Sequence, residues 1–330
     1  MKFGPVPLRE ALGAVLAHSV RAGGRVLKKG AVLGPEALAA LEAEGLGEVI
    51  VARLEPGDVA ENVAAEALAK AVQGAGLTLT AAHTGRVNLK AKGPGVLVVD
   101  AARVQAINAV DPGITLATLA PYTRVTPGLL AGTVKMIPYA VPAAALEAAC
   151  AVAAGAMRVA PVVLGRAAVV LTEVPGQKSS ITEKGRAAVV GRLDALGIAV
   201  AAVEVVAHEP GAVAQALGRL EADLVLILTG SATSDTHDVA PQALREAGGR
   251  VDRFGMPVDP GNLLFLGALP GEVPVIGLPG CARSPALNGA DWVLERVACG
   301  MAPGPDAFAA MGVGGLLKEI PIRPQPREGR

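Results

Sequence analysis

The sequence predicts an α/β protein with a mainly parallel sheet in its C-terminal half, preceded by small α+β and β-rich units. Three observations carry this. From Arg158 onward, short apolar strands alternate with amphipathic helices, the pattern that puts helices on both faces of a parallel sheet. Between residues 74 and 140, short β segments recur between turn signals, which reads as a small sheet or open barrel. The chain has 330 residues and is 52% hydrophobic, which excludes a disordered polymer and is enough for two or three cores without disulfide or metal staples.

The first unit spans residues 1–73. Gly34-Pro35 starts a helix over 35–44 with proline at its first position, and Gly45 stops it. Residues 48–54 form a strand, and Asp58 with Glu61 forms a capping-box-like start for a helix through Val72. The second unit, 74–157, has β segments at 77–80, 85–89, 96–99, 114–119 and 132–137. One helix at 101–110 interrupts them, and a linking helix at 142–154 follows.

The third unit, 158–302, holds strands at 167–174, 199–206, 223–228, 263–266 and 273–278. Helices are expected at 181–196, 212–220, 239–247 and 288–299, with Trp292 anchoring the last in the core. Residues 303–330 form a Pro/Gly-rich tail with a short helical piece near Phe308 and an extended end at 323–327.

Composition removes several function classes. Thirty Lys+Arg balance thirty Asp+Glu, so no global field attracts nucleic acid or an anionic membrane surface. Aromatic residues are only 2%, too few to stack single-stranded bases. The most apolar stretch, 141–164, is interrupted by Glu147 and Arg158, so no spanning helix is expected. There is no apolar signal core near the N-terminus, and the three cysteines form neither a CxxC motif nor an even framework. A soluble, reduced, cytoplasmic protein is expected.

In an open α/β sheet, ligands bind beyond the carboxyl ends of the strands, and three such turns stand out. The first holds Gly176, Gln177, Lys178, Ser179 and Ser180; Ser180 with Glu183 fits a capping box, and a helix start beside a lysine suits an anion. The second runs from Thr229 through Gly230, Ser231, Thr233 and Asp235 to His237 and Asp238. Its hydroxyls and backbone donors suit phosphate. Asp238 is either the cap of the next helix or a carboxylate facing the ligand as proton acceptor. Together with Asp235 and His237 it is also a candidate metal group. The third turn contains Pro279, Gly280, Cys281, Arg283 and Ser284, where Arg283 offers a fork for phosphate. A further turn at 258–262, with Gly261 and Asn262, is expected on the same edge. His18, His83 and His208 are too far apart to form a triad or zinc set. Neither a nucleotide-binding phosphate loop nor a dinucleotide fingerprint is present.

Residues 222–285 resemble the molybdopterin-binding family, the domain shared by molybdopterin molybdotransferases and adenylyltransferases. Leu228-Thr229-Gly230-Ser231 with Thr233 and His237-Asp238-Val239 is similar to that family's Ser-Gly-Gly-x-Ser…Asp-Val loop. Gly248-Gly249, Phe254-Gly255, Pro260-Gly261 and Gly277-Leu278-Pro279-Gly280 follow in the family's order. The N-terminal stretch Pro7-Leu8 to Ala17, with Leu27 and Gly30, resembles the non-catalytic units of the molybdotransferases. The resemblance implies a three-layer α/β ligand domain that binds molybdopterin or molybdenum cofactor, and magnesium-dependent molybdate insertion in the enzymes. It also implies homo-oligomers and a partner molybdoenzyme or nucleotidyltransferase.

Several family positions differ. Asp259-Pro260-Gly261-Asn262 stands where the family has Lys-Pro-Gly-Lys, and Cys281-Ala282 where it has Asn-Pro. Asp238 survives among the family's acidic site residues. These departures keep the binding chemistry and weaken the case for metal-dependent turnover. Two readings stay open: a transferase-like protein that inserts molybdate, and a non-catalytic scaffold or carrier.

Overall fold

The computed structural model describes residues 1–319. The chain divides into two compact units, residues 1–160 and 161–330. The extended end expected at 323–327 lies outside the described residues.

In the first unit, Glu48–Arg53 pairs antiparallel with Lys2–Pro7 on one side and Val15–Leu16 on the other. Small sheets form in place of an open barrel. One runs Ile114–Thr118, Leu130–Met136, Arg86–Ala91, Leu77–Leu79, and another places Gly95–Val99 between Arg124–Val125 and Met157–Pro161. The helices Glu61–Val72, Ala101–Val110 and Ala143–Ala153 send Leu68, Ile107 and Leu146 into a core shared with these strands.

The capping box expected at Asp58 and Glu61 does not form. The Asp58 carboxylate instead accepts from the Glu55 backbone N–H at 2.7 Å and pairs with the Met1 amine at 2.7 Å. That helix starts after Ala60 with no side-chain cap.

The second unit contains one six-stranded sheet. Its elements in chain order are β1 (Arg166–Glu173), α1 (Ser179–Asp194), β2 (Ala199–Ala207), α2 (Pro210–Leu217) and β3 (Leu224–Leu228). They continue with α3 (Val239–Glu246), β4 (Arg250–Phe254), β5 (Phe265–Leu269), β6 (Val273–Leu278) and α4 (Gly289–Ala298). The strand order is β2-β1-β3-β6-β5-β4. The pairs β2-β1, β1-β3 and β3-β6 are parallel, whereas β6-β5 and β5-β4 are antiparallel. The antiparallel edge was not foreseen. Arg250, Asp252 and Arg253 break the apolar run that marks a buried strand, and an edge position tolerates such charges.

The alternation along each strand separates two cores. Val169, Leu171, Leu226 and Leu228 pack with Val189 and Leu193 of α1 and with Val293 and Leu294 of α4. Val170, Val225 and Ile227 pack with Leu217 of α2 and Leu244 of α3. Leu-Val-Leu-Ile-Leu in β3 is therefore buried along its whole length, as a central parallel strand must be. Trp292 lies at the margin of the first core, so Val293 and Leu294 are the deeper anchors of α4.

The capping box expected at Ser180 and Glu183 is also absent. The helix begins two residues earlier, at Ser179, and its N-cap is Lys178, whose side chain makes no capping bond. Ser180 lies inside the first turn, where its hydroxyl no longer sits at the capping position. At α4 the N-cap is Asn288, which the sequence places inside the helix, and it forms a full capping box with Asp291.

Candidate functional site: three strand-end turns

Strands β3 and β6 end level, because Leu228 pairs with Leu278, and β1, in register with them through Leu171 and Leu228, runs two residues further to Glu173 on the same edge. Neighbouring strands lie about 5 Å apart, so the three turns that follow start side by side. Long-range hydrogen bonds then tie them together. The Gly230 N–H donates to Thr172 Oγ1 at 2.7 Å, linking the second turn to the end of β1. Arg283 Nη2 donates to the Thr229 carbonyl, linking the third turn to the second, and Nη1 donates to the Gly280 carbonyl at 3.4 Å. Three of the five guanidinium N–H groups are not used by these bonds. Burial lowers the Arg283 pKa from its ordinary value, although a guanidinium stays charged at neutral pH.

Individual residues fall into distinct settings. Lys178, Ser179 and Ser180 are exposed at the start of α1, next to the exposed Gly176. Gln177 turns inward, where its Nε2 donates to Thr182 Oγ1 at 3.1 Å, and Thr182 in turn donates to Glu173 Oε1 at 2.5 Å. In the second turn the Thr229 hydroxyl donates to the Ser231 carbonyl at 2.6 Å and lies 3.4 Å from the Thr233 hydroxyl. Both threonines are buried, so they close the turn from within, whereas Ser231 is exposed. Gly280, Cys281 and Arg283 form a short 3-10 turn after the buried Pro279, and the Ser284 N–H closes it onto the Cys281 carbonyl.

Asp238 is the cap of α3. Its Oδ1 accepts from the Val239 N–H at 2.7 Å and its Oδ2 from the Ser234 N–H at 2.9 Å, so both oxygens serve the backbone. Asp235 accepts from the His237 N–H at 2.8 Å, and this backbone bond, with His237 Nδ1, holds its carboxyl below the usual range. Among the described residues no three His, Cys, Asp or Glu side chains converge to hold a metal ion, so Asp235, His237 and Asp238 do not form the expected group.

The turn at 258–262 leaves the same edge of the sheet but makes other contacts. Its Pro260 carbonyl accepts from the Gly289 N–H at 2.8 Å, and Asp259 bonds to Gly315, Leu317 and Lys318. Gly261 is buried and Asn262 exposed. Phe254 packs on the second core.

Two organising residues were not singled out in the sequence. Arg192 lies on the buried face of α1, bonded through Nε to Asp291 Oδ1 at 2.6 Å. Its other nitrogens donate to the carbonyls of Ala282 at 2.9 Å and Ser284 at 2.8 Å, anchoring the third turn. The available signal was a charge on an apolar helical face between Val189 and Leu193. Thr172 carried no such signal, since a threonine at a strand end is common.

The notch enclosed by Thr172, Gln177, Thr182, Leu228 and Arg283 measures about 10 Å³, room for roughly one water. The turns therefore pack against one another, and any larger ligand must lie on their crest. A Cβ at Gly230 would stand 2.8 Å from the Thr172 carbonyl oxygen, 2.9 Å from Gln177 Oε1 and 3.1 Å from the Val174 nitrogen. Gly230→Ala should therefore lower stability by about 1–3 kcal/mol, read from the urea midpoint. An unchanged midpoint would show that the first two turns are not locked together.

A family model described as a probable molybdopterin binding domain matches residues 160–297, and one described as a domain of unknown function matches residues 5–53. No curated protein matches the chain. Among solved structures, the molybdopterin biosynthesis MoeA protein from Pyrococcus horikosii aligns over 94% of this chain and 76% of its own, with 14% identity and a TM-score of 0.29. No helix among the described residues is long and apolar enough to cross a membrane. Residues 160–297, which carry all three turns, belong to the molybdopterin-binding domain family.

Proposed function

We propose that the second unit binds molybdopterin or a molybdenum-cofactor form on the crest of the three turns, as a step in molybdenum cofactor biosynthesis. The observation that carries this reading is that the parallel strands β1, β3 and β6 all end on one edge of the sheet within the matched domain. It sets the first turn of α1, Lys178, Ser231 and the Arg283 guanidinium on one edge of the sheet. A phosphate there meets backbone donors at a helix start and cationic side chains.

The capped Asp238 favours a carrier over a molybdate-inserting transferase. A carboxylate whose two oxygens both accept backbone N–H bonds is poorly placed to move a proton or hold a metal. A carrier needs a recipient, and a molybdoenzyme or a nucleotidyltransferase fits that role. Self-association and a cytoplasmic location complete this reading.

The test is retention of molybdopterin on the purified chain through gel filtration, with the oxidised pterin identified by mass spectrometry. Co-elution is expected; loss of the pterin, while a known molybdopterin-binding control retains it, would overturn the reading. Lys178→Ala should weaken binding roughly fivefold at low ionic strength, with the difference shrinking as salt rises. Equal affinities at low salt would remove Lys178 from the site.

A further inference from the structure

The β-rich part of the first unit carries a charge imbalance that the whole chain does not. Residues 74–157 hold six Lys or Arg against three Asp or Glu, whereas the full sequence has thirty of each. Two of the three acids are occupied close by: Asp100 accepts from Arg103, and Asp111 accepts from the Gly113 N–H. None of the three lies on the four-stranded sheet of Leu77–Leu79, Arg86–Ala91, Ile114–Thr118 and Leu130–Met136. That sheet buries Val87, Leu89, Leu116 and Val134 on one face. The alternate residues form the other face and turn towards solvent.

Three successive residues of that outer face, all on Arg86–Ala91, carry unused donors. Arg86 is exposed, and neither its guanidinium nor the Lys90 ammonium has an acceptor among the described residues. Between them, Asn88 Oδ1 accepts from the Thr133 hydroxyl at 2.9 Å, and its Nδ2 has no acceptor among the described residues. Across the strand pair, Arg86 stands opposite Lys135. Lys135 donates to the Thr84 carbonyl and lies 3.8 Å from the Glu61 carboxylate, which leaves Arg86 without a neutralising neighbour on the sheet. Like charges on directly opposed residues destabilise a sheet, so this pair costs stability until an anion meets it. The face thus offers a row of donors and no carboxylate.

We propose that this face docks an extended acidic segment of a partner protein, whose Asp or Glu side chains at alternate positions meet Arg86, Asn88 and Lys90. Alternate residues of a strand lie about 7 Å apart, and an extended peptide repeats its side chains at the same interval. Carboxylates on every second residue therefore come into register with all three donors. The chain as a whole is neutral, so local charge complementarity selects the partner here, not a global field. These four strands carry no Phe, Tyr or Trp, so the face lacks the stacking platforms that single-stranded nucleic acid uses. The surface lies outside residues 160–297 and does not depend on the ligand proposed above.

The test is fluorescence anisotropy of a labelled peptide of alternating Thr and Glu titrated with the full chain, with a Thr-Lys peptide and an oligothymidylate as comparison probes. The Thr-Glu peptide should bind at least about tenfold more tightly than the Thr-Lys peptide, and its affinity should fall as salt rises. Replacing both cations, as Arg86→Ser with Lys90→Ser, should weaken it about tenfold, because two exposed charge pairs are lost. Asn88→Asp keeps an acceptor for Thr133 and turns the unused amide into a carboxylate, so it should weaken the peptide about fivefold. Lys184→Ser, which removes an exposed cation of α1 in the second unit, should leave the affinity unchanged. Equal binding of the two peptides, or an unchanged affinity in both the double variant and Asn88→Asp, would overturn the proposal. So would an equal loss in Lys184→Ser, the mark of unspecific charge attraction. Tighter binding of the oligothymidylate than of the Thr-Glu peptide would also overturn it, by making the face a phosphate-backbone surface.

Discussion

Arg192→Leu is expected to destabilise the second unit by about 3–5 kcal/mol, because removing one partner of a buried ion pair leaves the other charge unpaired. The arginine side chain is 9% exposed and its partner Asp291 is 13% exposed, so water reaches neither well. The substitution also strips donors from the carbonyls of Ala188, Ala282, Ser284 and Ala286. A buried leucine would return about 1.5–3 kcal/mol of apolar burial at most, which does not cover the stranded carboxylate and carbonyls together. At about 2–4 °C per kcal/mol for a unit of this size, the melting temperature should fall by roughly 6–20 °C.

The loss should be local as well as global. Residues 279–288 should become more accessible to proteolysis, since Arg192 is what fastens the third turn to α1. Pairing the change with Asp291→Asn should recover part of the loss by removing the stranded charge. A melting temperature within about 2 °C of the parent would show that this cluster does not hold the turn.

Gly277→Ala is expected to cost about 3 kcal/mol, for a purely steric reason. Phe265 pairs with Gly277 across β5 and β6. A Cβ at position 277 would stand 1.9, 2.1 and 2.6 Å from carbons of that ring, inside van der Waals contact. Phe265 is fully buried, so the ring has nowhere to turn without displacing the second core. The decisive measurement is a double-mutant cycle in urea. Phe265→Ala alone should cost about 3–5 kcal/mol, and adding Gly277→Ala to it should cost much less than it does in the parent. Additive costs would mean that the ring is not the obstacle.

Much of the candidate site was legible before any coordinates. The three turns were placed after apolar runs that did become β1, β3 and β6, and Asp238 occupied the expected N-cap of α3. Misreadings came where a local pattern had a competing tertiary partner. Asp58 had the spacing of a capping residue, but the Met1 amine and the Glu55 N–H took its carboxylate. Thr229 and Thr233 had the character of ligand-facing hydroxyls, but they turned towards each other inside the loop. His208 was set aside because no other histidine stood near it in sequence, yet folding brought it to Thr172.

What the chain determines on its own is the period of its apolar residues. A run such as Leu224–Leu228 can satisfy its side chains only when covered on both faces, and a turn must then follow at its end. Which turns meet, and which polar atoms they consume, was settled only in the folded protein. The contacts that decide it join residues 58 apart for Gly230 and Thr172, 54 for Arg283 and Thr229, and 90 for Arg192 and Ala282. No local periodicity encodes a partner at such a distance, because that choice depends on the order in which the strands pack.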